Sequence, residues 1–266
     1  MRRSPVRASP LHRRNSSSGR PLAGPGGRSL SPNGGGSQTE DLPPLGEVWP
    51  KAGKGAAQTP VTDPESFQTA TACTPAELAD LETFLAMLAE WNERMNLVGP
   101  SAIAEFWGRH AYDSAQLINI EPDALTWADL GAGAGFPGIV LAILLKNRPG
   151  ARVHLVESMS KRCAFLTAVV EALKLPAEVH NRRAEELSMT VDIVTARACA
   201  PMTRLLEFAW PYVRKGATGL FLKGQDVEAE LAEATRCWKF RAKLLPSRSG
   251  AAGRIVRVKA LGYVSR

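Results

Sequence analysis

Asp129, Gly131, Gly133 and Gly135 alternate along the stretch from Trp127 to Gly138, and an acid followed by spaced glycines suits the holding of a nucleotide. A turn from strand to helix needs a positive φ or a missing Cβ, and glycine supplies both. Its bare backbone lets a ligand come close, and the N–H groups opening the next helix are free to meet it. An apolar run ends at Leu130, and Ile139, Val140, Ala142, Ile143 and Leu145 follow at helical spacing. The stretch reads as strand, tight turn and helix, the first unit of a nucleotide-binding α/β domain.

Three more charged residues close apolar, strand-like runs. Glu157 ends Val153-His154-Leu155-Val156 and lies 22 residues past Gly135. That is close to the offset of about 20 residues at which an acid meets ribose hydroxyls in such folds. Arg197 ends the β-branched run 192–196, and Lys223 ends the run 219–222. Ligands of open α/β sheets sit at the carboxyl ends of the strands, and all four charges belong to such ends.

The glycine spacing narrows the ligand. A dinucleotide fingerprint, G-x-G-x-x-G, would need glycine three residues after Gly133, where Phe136 stands. The pattern D-x-G-x-G-x-G instead resembles the glycine-rich motif of class I S-adenosylmethionine-dependent methyltransferases.

The elements that must position these residues follow in order. Thr74, Pro75 and Glu77 have the types of an N-cap, a first helical position and a capping box. The stripe Leu78, Leu81, Leu85, Leu88, widened by Phe84, Met87 and Trp91, predicts a helix ending near Asn92. A second helical region is predicted over 101–118, and Trp91 and Trp107 read as core of a helical cap. Strands and helices then alternate: a helix after Ser158, a short strand near 177–180, a loop with a helical turn at 182–187, a helix after Pro201 and another over 227–235. Final strands are expected near 243–245 and 255–258. The expected fold class is α/β: a Rossmann-like, mostly parallel sheet with helices on both faces and an N-terminal helical cap. The expected segments are 1–70, a disordered basic tail; 71–120, the cap; and 121–266, the cofactor-binding domain.

Composition sets further bounds. The chain has 266 residues, with 33 Lys and Arg against 26 Asp and Glu. Residues 1–39 hold seven arginines and no acid, so the remainder is neutral overall and shows no basic surface by its net charge. The Arg-, Ser-, Pro- and Gly-rich start has too few large apolar residues to build a core. It reads as a solvated tail or an over-extended start, as an RNA-contacting arm, or as a targeting peptide. Cys73, Cys163, Cys199 and Cys237 are scattered, without a C-x-x-C pair, which argues against zinc and against a disulfide framework, so no metal is expected and a reducing cytoplasm is. No run approaches the ~18 apolar residues of a membrane span, so no membrane partner is expected.

Several short motifs occur together: Asn96-Leu97, Arg109-His110 with Asp113-Ser114, the stretch 129–138, Glu157 with Lys161-Arg162, Arg183-Ala184-Glu185-Glu186, Thr195-Ala196-Arg197-Ala198 and Phe221-Leu222-Lys223-Gly224. In this order they resemble the RsmG family, also called glucose-inhibited division protein B, over about residues 75–262. The resemblance implies methylation of guanine N7 in the 530 loop of 16S ribosomal RNA, with S-adenosylmethionine as donor and the rRNA or small ribosomal subunit as partner. It also implies that Gly131, Phe136, Ala184, Glu185 and Arg197 contact the cofactor. From the residues themselves, Gly131, Gly133 and Gly135 would pass close to its methionine end. Asp129 would sit at the strand end beneath them, Glu157 would accept from the ribose, and Ala184 and Glu185 would border the adenine. Arg197, expected to be exposed, could grip a carboxylate or a phosphate in bidentate fashion.

Guanine N7 has an in-plane lone pair and no proton to lose, so its methylation needs no general base. The sequence agrees: the fourth strand ends in Thr195-Ala196-Arg197-Ala198 and lacks the Asn/Asp-Pro-Pro-Tyr/Phe loop used on exocyclic amines. Arg197 is therefore expected to position and not to transfer protons. Cys199 reads as a small buried cysteine more readily than as a nucleophile. His110 reads either as an RNA contact or as a satisfied helix residue, and Lys161 and Arg162 as a surface pair at a helix start. The competing acceptor is a small molecule or a protein, and a binding module with a dead site is a third reading.

Overall fold

The computed structural model describes residues 60–264, and most of the expected tail lies outside them. The described chain opens with helix α1 (Pro64–Thr71), where Asp63 Oδ1 accepts from Ser66 N at 2.8 Å. This helix corrects the expectation of disorder up to residue 70. One aromatic docks it: Phe67 is fully buried against Trp107, ring centroids 5.5 Å apart. A single large side chain is lost in a composition averaged over seventy residues.

Helix α2 (Pro75–Met95) starts as its sequence predicts. Thr74 Oγ1 accepts from Glu77 N at 3.2 Å, and Glu77 Oε2 accepts from Thr74 N at 2.8 Å. It runs past the expected end and stops where Asn96 takes a left-handed φ of 49°. The helical region expected over 101–118 is built of three pieces: α3 (Pro100–Ala104), a π-helical segment (Phe106–Tyr112) and α4 (Asp113–Ile120). In the π-helical segment the consecutive rings of Phe106 and Trp107 are both buried.

Seven strands follow: β1 (Thr126–Leu130), β2 (Arg152–Glu157), β3 (Ala177–Asn181), β4 (Ile193–Arg197), β5 (Thr218–Lys223), β6 (Trp238–Pro246) and β7 (Arg254–Tyr263). They lie in the order β3-β2-β1-β4-β5-β7-β6. β1 to β5 are parallel, and β7 runs antiparallel between β5 and β6. The last two strands are far longer than the short apolar runs near 243–245 and 255–258 suggested, because charged residues fill their alternate positions.

Helices α5 (Gly138–Leu144) and α6 (Ser160–Leu173) cover one face, where Trp127, Val153, Leu155 and Ile193 point. Helices α7 (Met202–Val213) and α8 (Val227–Ala234) cover the other, over Ala128, Leu130, Val194 and Ala196. The N-terminal helices extend the first of these cores and do not build a separate one. Phe84 on α2 meets Phe106, Phe136 and Phe165, with ring centroids 5.7, 5.4 and 6.4 Å away. Truncating it therefore opens a hole between the cap, the loop after β1 and α6. Phe84→Ala is expected to lower stability by about 3–5 kcal/mol in urea unfolding.

Candidate active site

Strand register sets the expected charges side by side. Asp129 of β1 pairs with Leu155 of β2 and Thr195 of β4, and Arg197 pairs with Leu222 of β5. Asp129, Glu157, Arg197 and Lys223 thus share the carboxyl edge of the sheet, as their positions in the sequence suggest.

The loop between β1 and α5 needs its glycines. Gly131 has φ 69°, and a Cβ there would stand 2.7 Å from Cys199 Sγ. A Cβ on Gly138 would strike Leu155. Two carboxylates hold the loop from beneath. Asp129 Oδ2 accepts from Gly138 N at 2.9 Å, and Glu157 Oε2 accepts from Gly133 N at 3.0 Å. Glu157 Oε1 accepts from Met159 N at 2.8 Å, so both its oxygens already serve backbone donors and only their second lone pairs remain for a ribose. Asp129 is 1% exposed, and its Oδ1 is buried with no partner. Burial above all pushes its carboxyl up to about 7; Glu157 adds to the rise, while the Gly138 N–H and Arg197 oppose it.

The other expected residues divide. Phe136 turns its ring into the core, against Phe84, Phe106 and His110, and so offers a ligand little but its backbone. Ala184 and Glu185 form a 3₁₀ turn (Ala184–Glu186) after β3, Ala184 buried and Glu185 exposed. Arg197 is not the exposed residue that a strand end suggests. Its side chain is 16% exposed, with Nη1 3.9 Å from Asp113 Oδ2 and without a hydrogen bond. The π-helical segment and α4 cover it, which no local sequence feature announces. Burial lowers its pKa, and Asp113 works against that.

His110 lies against Phe136 at 4.8 Å, its Nδ1 buried and unpartnered. Burial, helped by Arg197 and Arg109, lowers its pKa to about 4, so it is neutral at pH 7 and offers no cation to a phosphate. Cys199 packs on Gly131, and burial raises its thiol pKa, the opposite of what a nucleophile needs.

Beside Arg197 lies a cavity of about 560 Å³, lined by Arg109, Asp113, Lys223, Glu230 and the loop 249–253. Two of its acids escaped the sequence reading as site residues. Asp113 Oδ1 accepts from Ser247 Oγ at 2.6 Å, Ser249 Oγ at 2.7 Å and Gln116 Nε2 at 2.7 Å. Glu230 Oε2 lies 2.7 Å from Lys223 Nζ and accepts from Met202 N at 2.7 Å. Glu230 looks like any acid on a helix; only the pairing with Lys223, seven residues earlier, distinguishes it. Among the described residues, His154, Glu178 and His180 form a set spaced for a metal ion. It lies on β2 and β3, with Glu178 Oε2 held by Arg152 at 2.8 Å and the imidazoles 3.0 Å apart.

A parallel sheet with an antiparallel seventh strand, and an acid–glycine loop over its first strand, define a methyltransferase of the class I type. Comparison with known proteins specifies it further. The model of the family described as GidB, rRNA small subunit methyltransferase G, matches residues 77–251. The ribosomal RNA small subunit methyltransferase G of Caulobacter vibrioides is 62% identical over 204 residues, 77% of this chain and 94% of that protein. The protein of the same name from Bradyrhizobium sp. BTAi1 is 49% identical over 185 residues, 68% of this chain and 83% of its own. The chain belongs to the rRNA small subunit methyltransferase G family.

Two expectations follow from this geometry. Gly131→Ala forces an alanine to φ 69° against Cys199 and is expected to cost about 1–2 kcal/mol, read by thermal unfolding. Cys199→Ala should recover the steric part alone. Asp129, raised in the fold, favours the protonated form there. Its contribution is full below its unfolded value near 4 and is lost as pH rises through about 7. Asp129→Asn should therefore gain on wild type by up to about 1.4 kcal/mol per pH unit across that window and level off above it.

Proposed function

We propose that this chain transfers the methyl group of S-adenosylmethionine to guanine N7 in the 530 loop of 16S ribosomal RNA. The single observation that carries the reading is the loop from Gly131 to Gly138, in which Gly131 and Gly133 keep some exposure for close backbone approach, braced by two buried acids. The family name, which specifies small-subunit rRNA, supports the acceptor.

The loop glycines would cradle the methionine end of the donor. Asp129 Oδ1, buried and unpartnered, is the acceptor that an ammonium group would satisfy. Glu157 would keep Gly133 in place and offer its remaining lone pairs to the ribose. Ala184 would wall the adenine, and Glu185, exposed beside it, would meet polar atoms at the rim. When bound, S-adenosylmethionine supplies an electrophilic methyl group on a sulfonium. The base would enter the cavity beside Arg197, whose guanidinium, near Asp113 but with Nη1 free of hydrogen bonds, would orient cofactor or RNA. No residue needs to take a proton; His110 is sealed against Phe136, and Cys199 is held as the thiol. Among the described residues no helix is long and apolar enough to cross a membrane, and the substrate would be met in the cytoplasm.

The test uses small subunits from a strain lacking this modification. Purified protein and labelled donor should place label on a guanine of 16S rRNA that becomes sensitive to cleavage at 7-methylguanosine. Label on protein, on a small molecule or nowhere would overturn the reading. Arg197→Lys should remain folded and lower kcat/KM at least about tenfold, since an ammonium cannot reproduce two parallel hydrogen bonds. Asp129 adds a pH test. Affinity for S-adenosylhomocysteine should rise as pH climbs through about 7, and Asp129→Asn should abolish that rise.

A further inference from the structure

The apparent neutrality of the chain beyond its first residues conceals a separation of charge. Residues 40–237 carry 26 acids against 18 bases, whereas residues 238–266 carry eight bases and no acid. Almost all of that second stretch is the β6–β7 hairpin.

Register shows where the charges point. Arg241 pairs with Lys259 and Lys243 with Arg257, while Ala242 pairs with Val258 and Leu244 with Val256. Val256 and Val258 are buried in the core under α7 and α8, so the four cations share the opposite face, and Lys239 continues their row along β6. Like charges directly across an antiparallel pair oppose folding. Arg257 is compensated: its Nε donates to Glu121 at 2.6 Å. Lys239, Arg241 and Lys259 are exposed and enter no ion pair among the described residues. Same-face positions on a strand recur every ~6.7 Å, a spacing comparable to that of successive phosphates on a nucleic-acid strand. Among the described residues β6 is also the edge strand of the sheet. The turn of the hairpin lies at the candidate site: Arg254 pairs with Lys223, and loop 249–253 lines the cavity.

We infer that this face of the hairpin is the surface on which the RNA backbone docks, leading the target base into the cavity beside Arg197. The inference rests on the functional reading above and adds where the substrate is held. Lys239, Arg241 and Lys259, which no acid among the described residues balances, are matched by the phosphates of a bound strand.

The experiment compares wild type with a variant carrying Lys239→Gln, Arg241→Gln and Lys259→Gln. Methylation of unmodified small subunits is measured across a salt series, with S-adenosylhomocysteine binding and melting temperature alongside. The expected result is a KM for subunits raised at least about tenfold near physiological salt. The slope of log affinity against log salt should fall by about two, since each phosphate contact contributes about 0.7–0.9. S-adenosylhomocysteine affinity should stay at the wild-type value. The melting temperature should hold or rise, because cross-strand repulsion is removed. A triple Lys239→Arg, Lys259→Arg, Arg241→Lys variant should keep the wild-type slope. An unchanged KM and slope in the neutralised variant would overturn the inference while leaving the functional reading in place. A wild type that methylates nothing in the subunits would overturn both, and is recognised because the parent protein itself is silent.

Discussion

Two buried carboxylates hold the backbone on which everything else depends. Asp129 accepts from Gly138 and Glu157 from Gly133, each acid at the end of its own strand and each reaching under the same loop. A glycine loop has little conformational preference of its own, so its shape must be imposed from outside. Here it is imposed by carboxyl acceptors with almost no contact with water, where a hydrogen bond is strong and an unmet donor is costly. The cost shows in Asp129, whose second oxygen is left without a partner.

The same loop is fixed from above by aromatic packing. Phe136 leaves the glycine run and enters the rings of Phe84 and Phe106, with His110 beside it. The N-terminal helices are thus part of the site's foundation. They also bury Arg197, because the π-helical segment carries Arg109 and His110 and delivers Asp113 to the guanidinium. Positions that would be solvent-facing in a bare α/β domain become interior, and their charges are correspondingly constrained.

What could be read in the sequence was whatever repeats locally or sits at fixed offsets. The capping box at Thr74 and the strand–loop–helix at Asp129 have such signatures and form as expected, and Glu157 ends its strand. The parallel order of the first five strands followed from alternation of elements. The rest depended on distant partners. Arg197 seemed exposed because a strand end usually is, and only the packing of a preceding helical segment reverses that. Phe136 lies in the glycine motif yet serves the core. Helix α1 is docked by one phenylalanine, and the length of the last hairpin was hidden by charges at alternate positions. Asp113 and Glu230 acquire their significance from partners brought near by the fold. The net charge of the body concealed a polarity visible only once β6 and β7 were known to be one hairpin.

The ring of hydrogen bonds around Asp113 joins chain segments made at very different times. Ser247 and Ser249 lie more than 130 residues after the carboxylate they donate to, and Arg248 N donates to Gln116 Oε1 at 2.9 Å from the same remove. During synthesis the early helices and the central sheet leave the ribosome before the last hairpin does. The cavity beside Arg197 has no outer wall until that hairpin folds back. A growing chain can therefore brace the glycine loop over Asp129 before the cavity beside Arg197 has its outer wall, which arrives only with the loop 249–253.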